Sequence, residues 1–195
     1  MAGELSGRRV AILAADGVER VELEQPRQAV QDAGADVELL SIHDGEIAGR
    51  NNDLEDAGTF SVDRPVADAF VDDYDALLLP GGTVNPDKLR MDADAVSFVR
   101  DFSNSGKPIG TICHGPWTLV EAGVVSGRRI TSFPSVRTDL RNAGANVVDE
   151  QVVVDDGLVS SRSPDTLPAF CAKIVEEFAE GRHPARAGAA AGGAS

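Results

Sequence analysis

Two cysteines, Cys113 and Cys171, are too few to build a disulfide framework in a chain of 195 residues. Histidine is almost as scarce. Three dispersed histidines and two separated cysteines offer no CxxC or HExxH ligand spacing, so neither a metal nor a cofactor is expected. Basic residues are short as well, 18 against 32 acidic ones, for a net charge of −14. That excess repels nucleic acid and anionic membrane surfaces, and neither is expected as a partner. No apolar run approaches the roughly 20 residues needed to span a bilayer. The stretch "MAGELSGRR" has no hydrophobic segment of secretory-signal type, so the cytoplasm is the expected location.

What is present is an ordinary globular composition, 42% hydrophobic and 26% charged, on a length that suits one domain. "RRVAILAAD" (8–16) is a short apolar run bounded by charge and predicts a buried strand. "VELEQPRQAVQDAGA" follows as a helix with Pro26 near its first turn, and "DVELLSI" as a second strand. Residues 44–73 are polar and Gly-rich, and predict hairpins or irregular excursions. "YDALLLPGG" (74–82) reads as a strand ending at a glycine pair, residues 86–106 as one helix, and "KPIGTIC" as the next strand. "HGPWTLVEAGVV" reads as a short helix, "RRITSF" as a strand and "VRTDLRNAGA" as a helix. This alternation predicts a doubly wound, mainly parallel α/β sheet. "EQVVVDDGLVSSRS" predicts a hairpin turning at "DDG". Leu167, Phe170, Cys171, Ile174, Val175 and Phe178 recur at helical spacing and predict a last helix with one apolar face. The domain is expected over 8–181, with a low-complexity, disordered tail over 182–195.

The chemistry is concentrated in "PIGTICHGPW" (108–117). Cys171 lies on the apolar helical face and reads as a small buried hydrophobe. Cys113 instead falls where a strand's carboxyl end turns into a helix, the place where ligands bind in open α/β sheets. Gly110 and Gly115 permit a tight nucleophile elbow, and a helix N-terminus favours thiolate, so a depressed thiol pKa is expected. His114, adjacent in sequence, is expected to serve Cys113 poorly as a base and to reach a substrate or a neighbouring subunit. His43 and His183 belong to no motif and read as surface residues. The glycine pair Gly81 and Gly82 closes another strand; the backbone N–H groups of Gly82 and His114 are candidate oxyanion donors. Glu19 and Glu22 after the first strand are either a solvated helical turn or a source of one carboxyl group for the sulfur. A carboxyl group buried there would be pushed toward its protonated form.

Together, "ADGVERVELEQP", "DALLLPGG", "GKPIGTICHGPW" and "DDGLVSSRSP" resemble the PfpI family of intracellular cysteine-peptidase-like proteins. Its superfamily includes the parkinsonism-associated protein deglycase and has the class I glutamine amidotransferase-like fold. The resemblance implies a flavodoxin-like sandwich and a homodimer or higher oligomer. It implies Cys113 as nucleophile followed by His114, Glu22 as the glutamate on the sulfur, and Gly81 and Gly82 as the oxyanion loop. In peptidase-type members a glutamate after the glycine pair reaches the histidine of a neighbouring subunit. Here Asp87 stands for it, one methylene shorter and in a loop one residue longer, and Phe133 replaces an aromatic hydroxyl found in some members. Both departures count against peptidase activity. The activity expected first is a glyoxalase- or deglycase-like hydrolysis of small reactive carbonyls or their protein adducts. The alternatives are a redox-responsive general stress protein or chaperone with Cys113 as sensor, and an intracellular cysteine peptidase. A glutamine amidotransferase is not expected, because no downstream His-x-Glu pair exists.

Overall fold

A computed structural model describes residues 3–184 of the chain. Val10 to Leu13 form an unbroken apolar run, the pattern of a strand buried on both faces. They lie in β1 (Arg9–Leu13), followed by the two-residue β2 (Val18–Glu19), α1 (Arg20–Asp32) and β3 (Asp36–Ser41). Helix α1 begins earlier than Pro26 suggests, and the proline sits inside it, where it cannot return an N–H to the Glu22 carbonyl. The polar segment becomes an antiparallel hairpin of β4 (Glu46–Asn51) and β5 (Glu55–Ser61), then the short β6 (Arg64–Pro65). After β7 (Ala76–Leu79) the helix expected over 86–106 is two helices, α2 (Val84–Leu89) and α3 (Ala93–Asn104). The Asp92 side chain accepts from the Ala95 N–H at 2.9 Å and starts α3 afresh.

Strand β8 (Ile109–Ile112) leads into α4 (Pro116–Glu121). "RRITSF" contributes only β9 (Arg129–Ile130), which pairs with β10 (Asn146–Val147) across α5 (Arg137–Asn142). The hairpin of β11 (Val152–Asp155) and β12 (Leu158–Ser161) turns at Asp156 and Gly157, both at positive φ (42° and 79°), as a two-residue primed turn requires. The chain then enters α6 (Leu167–Glu180).

The main sheet runs β11-β12-β8-β7-β1-β3-β6, parallel except for β11. One apolar layer, with Phe98, Phe102, Leu119 and Leu140, packs α3, α4 and α5 on one face. The other, with Leu23, Val30, Phe170, Ile174 and Phe178, packs α1 and α6 opposite. This is the doubly wound α/β sheet that the alternation predicts, in the flavodoxin-like sandwich that the resemblance implies. Winding reverses between β1 and β7, so the loops leaving their carboxyl ends part and open a crevice there. No helix among the described residues is long and apolar enough to cross a membrane.

Residues 182–184, expected in the tail, are among the described residues. The His183 N–H donates to the Gly106 carbonyl at 2.8 Å, and its half-buried side chain lies against Gly157. Residues 185–195 of that tail lie outside the described residues.

Candidate active site

Cys113 follows β8 directly and has φ 62°, a left-handed conformation that side chains adopt at a cost. The surrounding backbone imposes it. The Cys113 N–H donates to the Ser161 carbonyl at 3.0 Å, and its carbonyl accepts from Phe133 N–H at 2.9 Å. Two residues on, a Cβ at Gly115 would lie 2.5 Å from the Leu79 carbonyl oxygen, so only glycine lets the chain pass. The result is a sharp strand-to-helix elbow that presents Sγ toward the crevice, with the residue 6% exposed.

His114 turns out to face its neighbour. Adjacent residues diverge on a regular helix, but this pair straddles the elbow, and His114 Nδ1 lies 3.2 Å from Cys113 Sγ. The other ring nitrogen, Nε2, meets Ser135 Oγ at 3.0 Å. Phe133 stacks on the imidazole with centroids 4.6 Å apart, and Trp117 meets it edge-on at 5.3 Å. Burial pushes its pKa down, against the opposing charge of Asp53. Ser135 and these aromatic contacts fix the ring, a role that no sequence motif signals.

Of the two glutamates, Glu22 reaches the sulfur. It is 1% exposed, and its Oε2 accepts the Gly81 N–H at 2.8 Å. Its Oε1 is buried with no hydrogen-bond partner among the described residues. Glycine is required at position 81, because a Cβ there would sit 2.3 Å from Glu22 Oε2 and 2.8 Å from the Cys113 Cβ. Gly82 (φ 79°) allows an equally close approach to the Gly17 carbonyl. The backbone amides of Gly82 and His114 lie where they favour the thiolate form of Cys113 over the thiol.

Glu19 does something else. Its carboxylate accepts the N–H groups of Asn52 and Asp53 at 3.1 and 3.3 Å and holds the tip of the β4–β5 hairpin, where both residues have positive φ. Asp53 in turn accepts from Thr83 N–H at 2.6 Å and Thr83 Oγ at 2.9 Å. The hairpin tip is thereby pinned beside Gly82. Asp16 anchors the other end of the hairpin. It accepts from Ala48 N–H at 2.9 Å, Lys88 Nζ at 3.1 Å and His43 Nε2 at 3.3 Å. Burial alone would raise its pKa, but these donors outweigh it and take it to about 2. His43 is therefore part of a network and not an isolated surface residue.

Asn85 is the least anticipated member. It is fully buried in α2, where its Oδ1 accepts Ala15 N–H at 2.7 Å and its Nδ2 donates to the carbonyls of Pro80 and Gly81 at 3.0 and 2.9 Å. One amide thus ties the loop after β1 to the glycine loop after β7. Asp87, two residues on, is exposed and makes no hydrogen bond with His114.

The electrostatics correct the expected depression of the Cys113 pKa. Burial pushes the thiol up, an ionised Glu22 pushes it further, and the His114 and Gly82 amides oppose both. Helix α4 has only six residues and contributes a small dipole. Burial likewise pushes Glu22 up to about 8, with the charges of Glu19 and Asp53 adding to it and the bonds to Cys113 and Gly81 opposing. At neutral pH Glu22 therefore holds a proton next to the sulfur, and the repulsion that an ionised Glu22 exerts on a thiolate is absent. Thiolate formation at Cys113 belongs to the pair and not to the elbow alone. Cys171, half-buried on α6, is pushed up to about 11 by burial.

Comparison with known proteins agrees with this geometry. Residues 8–177 match the DJ-1/PfpI family. The chain is 41% identical over 165 residues to protein/nucleic acid deglycase 2 of Escherichia coli, covering 84% of this chain and 93% of that one. It is 39% identical over 166 residues to general stress protein 18 of Bacillus subtilis, covering 84% and 94%. The crystal structure of Drosophila melanogaster DJ-1beta superposes with a TM-score of 0.78 at 30% identity, over 88% of this chain and 90% of that one. With the elbow cysteine, the buried glutamate and the glycine loop in one crevice of a matching fold, the chain belongs to the DJ-1/PfpI family.

Proposed function

We propose that this protein is a Cys113-dependent enzyme acting on small reactive carbonyls or their adducts with proteins, in the manner its deglycase-named relatives suggest. The observation that carries the reading is the convergence on one sulfur. Cys113 at positive φ meets His114 Nδ1, the buried Glu22 and the amides of Gly82 and His114. With an α-oxoaldehyde, Sγ forms a bond to the aldehyde carbon while the carbonyl oxygen becomes an oxyanion held by the two amides. His114 takes the thiol proton as this bond forms, passes it to the ketone oxygen, and then moves the proton on the attacked carbon to the adjacent one. The aldehyde carbon is thereby oxidised to a thioester and the ketone reduced to an alcohol. Water then cleaves the thioester, returns the thiol and releases a 2-hydroxy acid, so no external oxidant is needed.

A peptidase needs its histidine oriented by a third group that strengthens it as a base. Here Nε2 faces the neutral Ser135 hydroxyl, and Asp87 is exposed. A small aldehyde, already electrophilic, asks less of the base. The test is turnover of methylglyoxal and of casein by wild type and Cys113→Ser. Loss of aldehyde turnover by at least a hundredfold in the variant, with negligible casein cleavage, is the expected result. Aldehyde turnover that survives Cys113→Ser would overturn the reading.

A redox role has one observation in its favour. Glu22 Oε1 is buried beside the sulfur without a hydrogen-bond partner among the described residues. Peroxide oxidation of Cys113 would place an acceptor oxygen there for the Glu22 proton. Oxidation of the Cys113 thiol by peroxide, followed by mass spectrometry, that is slower in Glu22→Ala, with no aldehyde turnover in the reduced wild type, would favour sensing over catalysis.

A further inference from the structure

The carboxyl end of α6 is built against its own dipole. A helix C-terminus favours cations, yet the last turns of α6 carry Glu176, Glu177 and Glu180, and its last turn has no basic residue. Lys173 pairs with Glu176 at 2.5 Å. Arg8 reaches the Ala179 carbonyl at 3.4 Å, and its guanidinium also pairs with Asp75.

Beyond Glu180 the chain reverses at Gly181 (φ 84°), and the His183 amide is fixed on the Gly106 carbonyl. The imidazole then folds back against Gly157, where an added Cβ would lie 2.7 Å from His183 Cδ2. This brings His183 Nε2 to 3.3 Å from Glu177 Oε2, on a residue that is 7% exposed. Both atoms are buried; they face each other as an ion pair, and neither makes a hydrogen bond among the described residues. One ligand atom from each of Glu177, Glu180 and His183 lies within 4.8 Å of the others. Tetrahedral Zn²⁺ with bonds of about 2.0–2.2 Å holds its ligands about 3.3–3.6 Å apart. The Glu177–His183 pair already has that span, and a carboxylate oxygen of the exposed Glu180 lies within 4.8 Å of both.

We propose that Glu177, Glu180 and His183 bind a single divalent transition cation, Zn²⁺ by the character of its imidazole and carboxylate donors, with water completing the shell. The cation answers the negative helix end and gives the two buried atoms, which make no hydrogen bond among the described residues, a common ligand partner. No sequence motif announces the site, because the ligands become neighbours only through the reversal at Gly181. The site is separate from the Cys113 crevice and does not depend on the activity proposed for it.

The experiment is calorimetric titration of Zn²⁺ into the full-length chain carrying Cys113→Ser, a background that removes the thiol able to capture zinc in the crevice. One Zn²⁺ per chain is expected, together with a rise in Tm on loading. His183→Ala and Glu180→Gln, both at the chain's surface end of the helix, should each weaken binding by about tenfold or more. Absence of binding in the Cys113→Ser chain, or binding that either variant leaves unchanged, would overturn the site and reduce the cluster to a Glu177–His183 ion pair.

Discussion

Asn85 Nδ2 donates to the Gly81 carbonyl at 2.9 Å, and the Gly81 N–H donates to Glu22 at 2.8 Å, so a buried amide sets the position of the buried glutamate through a single glycine. Both side chains are buried, and the loop between them has no freedom to re-form around water.

Asn85 is thus a positioning residue, and Asn85→Ala should show it. The change strands Ala15 N–H and the Pro80 carbonyl, at about 1–3 kcal/mol for each buried group left unsatisfied, and leaves the Gly81 carbonyl only its longer bond from Glu19 N–H at 3.4 Å. A lower Tm is expected together with a fall in kcat for methylglyoxal that exceeds any rise in KM. Measured below the variant's Tm, an unchanged kcat would mean that Asn85 serves stability alone.

Glu22 gives stability a pH dependence of defined sign. Its pKa is raised from the ordinary 4.5 to about 8 in the folded protein. Between those values the native state holds a proton that the unfolded chain has lost, so stability falls as pH rises, by up to about 1.4 kcal/mol per pH unit. The contribution is fully present below about pH 4.5 and gone above about pH 8. Glu22→Gln should flatten this part of the profile, as urea unfolding at pH 5 to 8 would reveal. Parallel profiles for the two proteins would mean that Glu22 is ionised in the fold.

The elbow stores backbone strain. At φ 62°, position 113 penalises any residue with a Cβ, and glycine escapes the penalty. Cys113→Gly should therefore be more stable than Cys113→Ala by about 1 kcal/mol, although both lack the thiol. The reverse order in chemical denaturation would remove strain from the account of the site.

Asp87 is expected to be a bystander in aldehyde chemistry. It is exposed on α2, while His114 is held by Ser135, Phe133 and Trp117. Asp87→Ala should leave methylglyoxal turnover within about twofold, whereas Ser135→Ala should lower it about tenfold or more by freeing the ring. Casein hydrolysis lost in Asp87→Ala would instead assign the carboxylate to a triad completed by a second subunit.

The sequence by itself determined the layered fold and the place of Cys113 at a strand's carboxyl end. Apolar runs at β1, β7 and β8, punctuated by glycine, specify buried parallel strands, and the glycines around Cys113 permit only a tight turn at a strand's end. These are local signals, carried by residues close together in the chain. The tertiary structure decided everything that depends on who meets whom. Glu19 and Glu22 are equivalent in composition and spacing, but the hairpin tip claims one and the sulfur the other. His114 faces Cys113 because the elbow breaks the helical rule that would part them. Asn85, Asp53 and Ser135 have no motif, since each also bonds a residue 21 to 70 positions away, at Ala15, Thr83 and His114. The pKa of Cys113 also escaped the local reading. A helix N-terminus can be anticipated from sequence, whereas burial and a protonated neighbour exist only once distant segments have closed around the thiol.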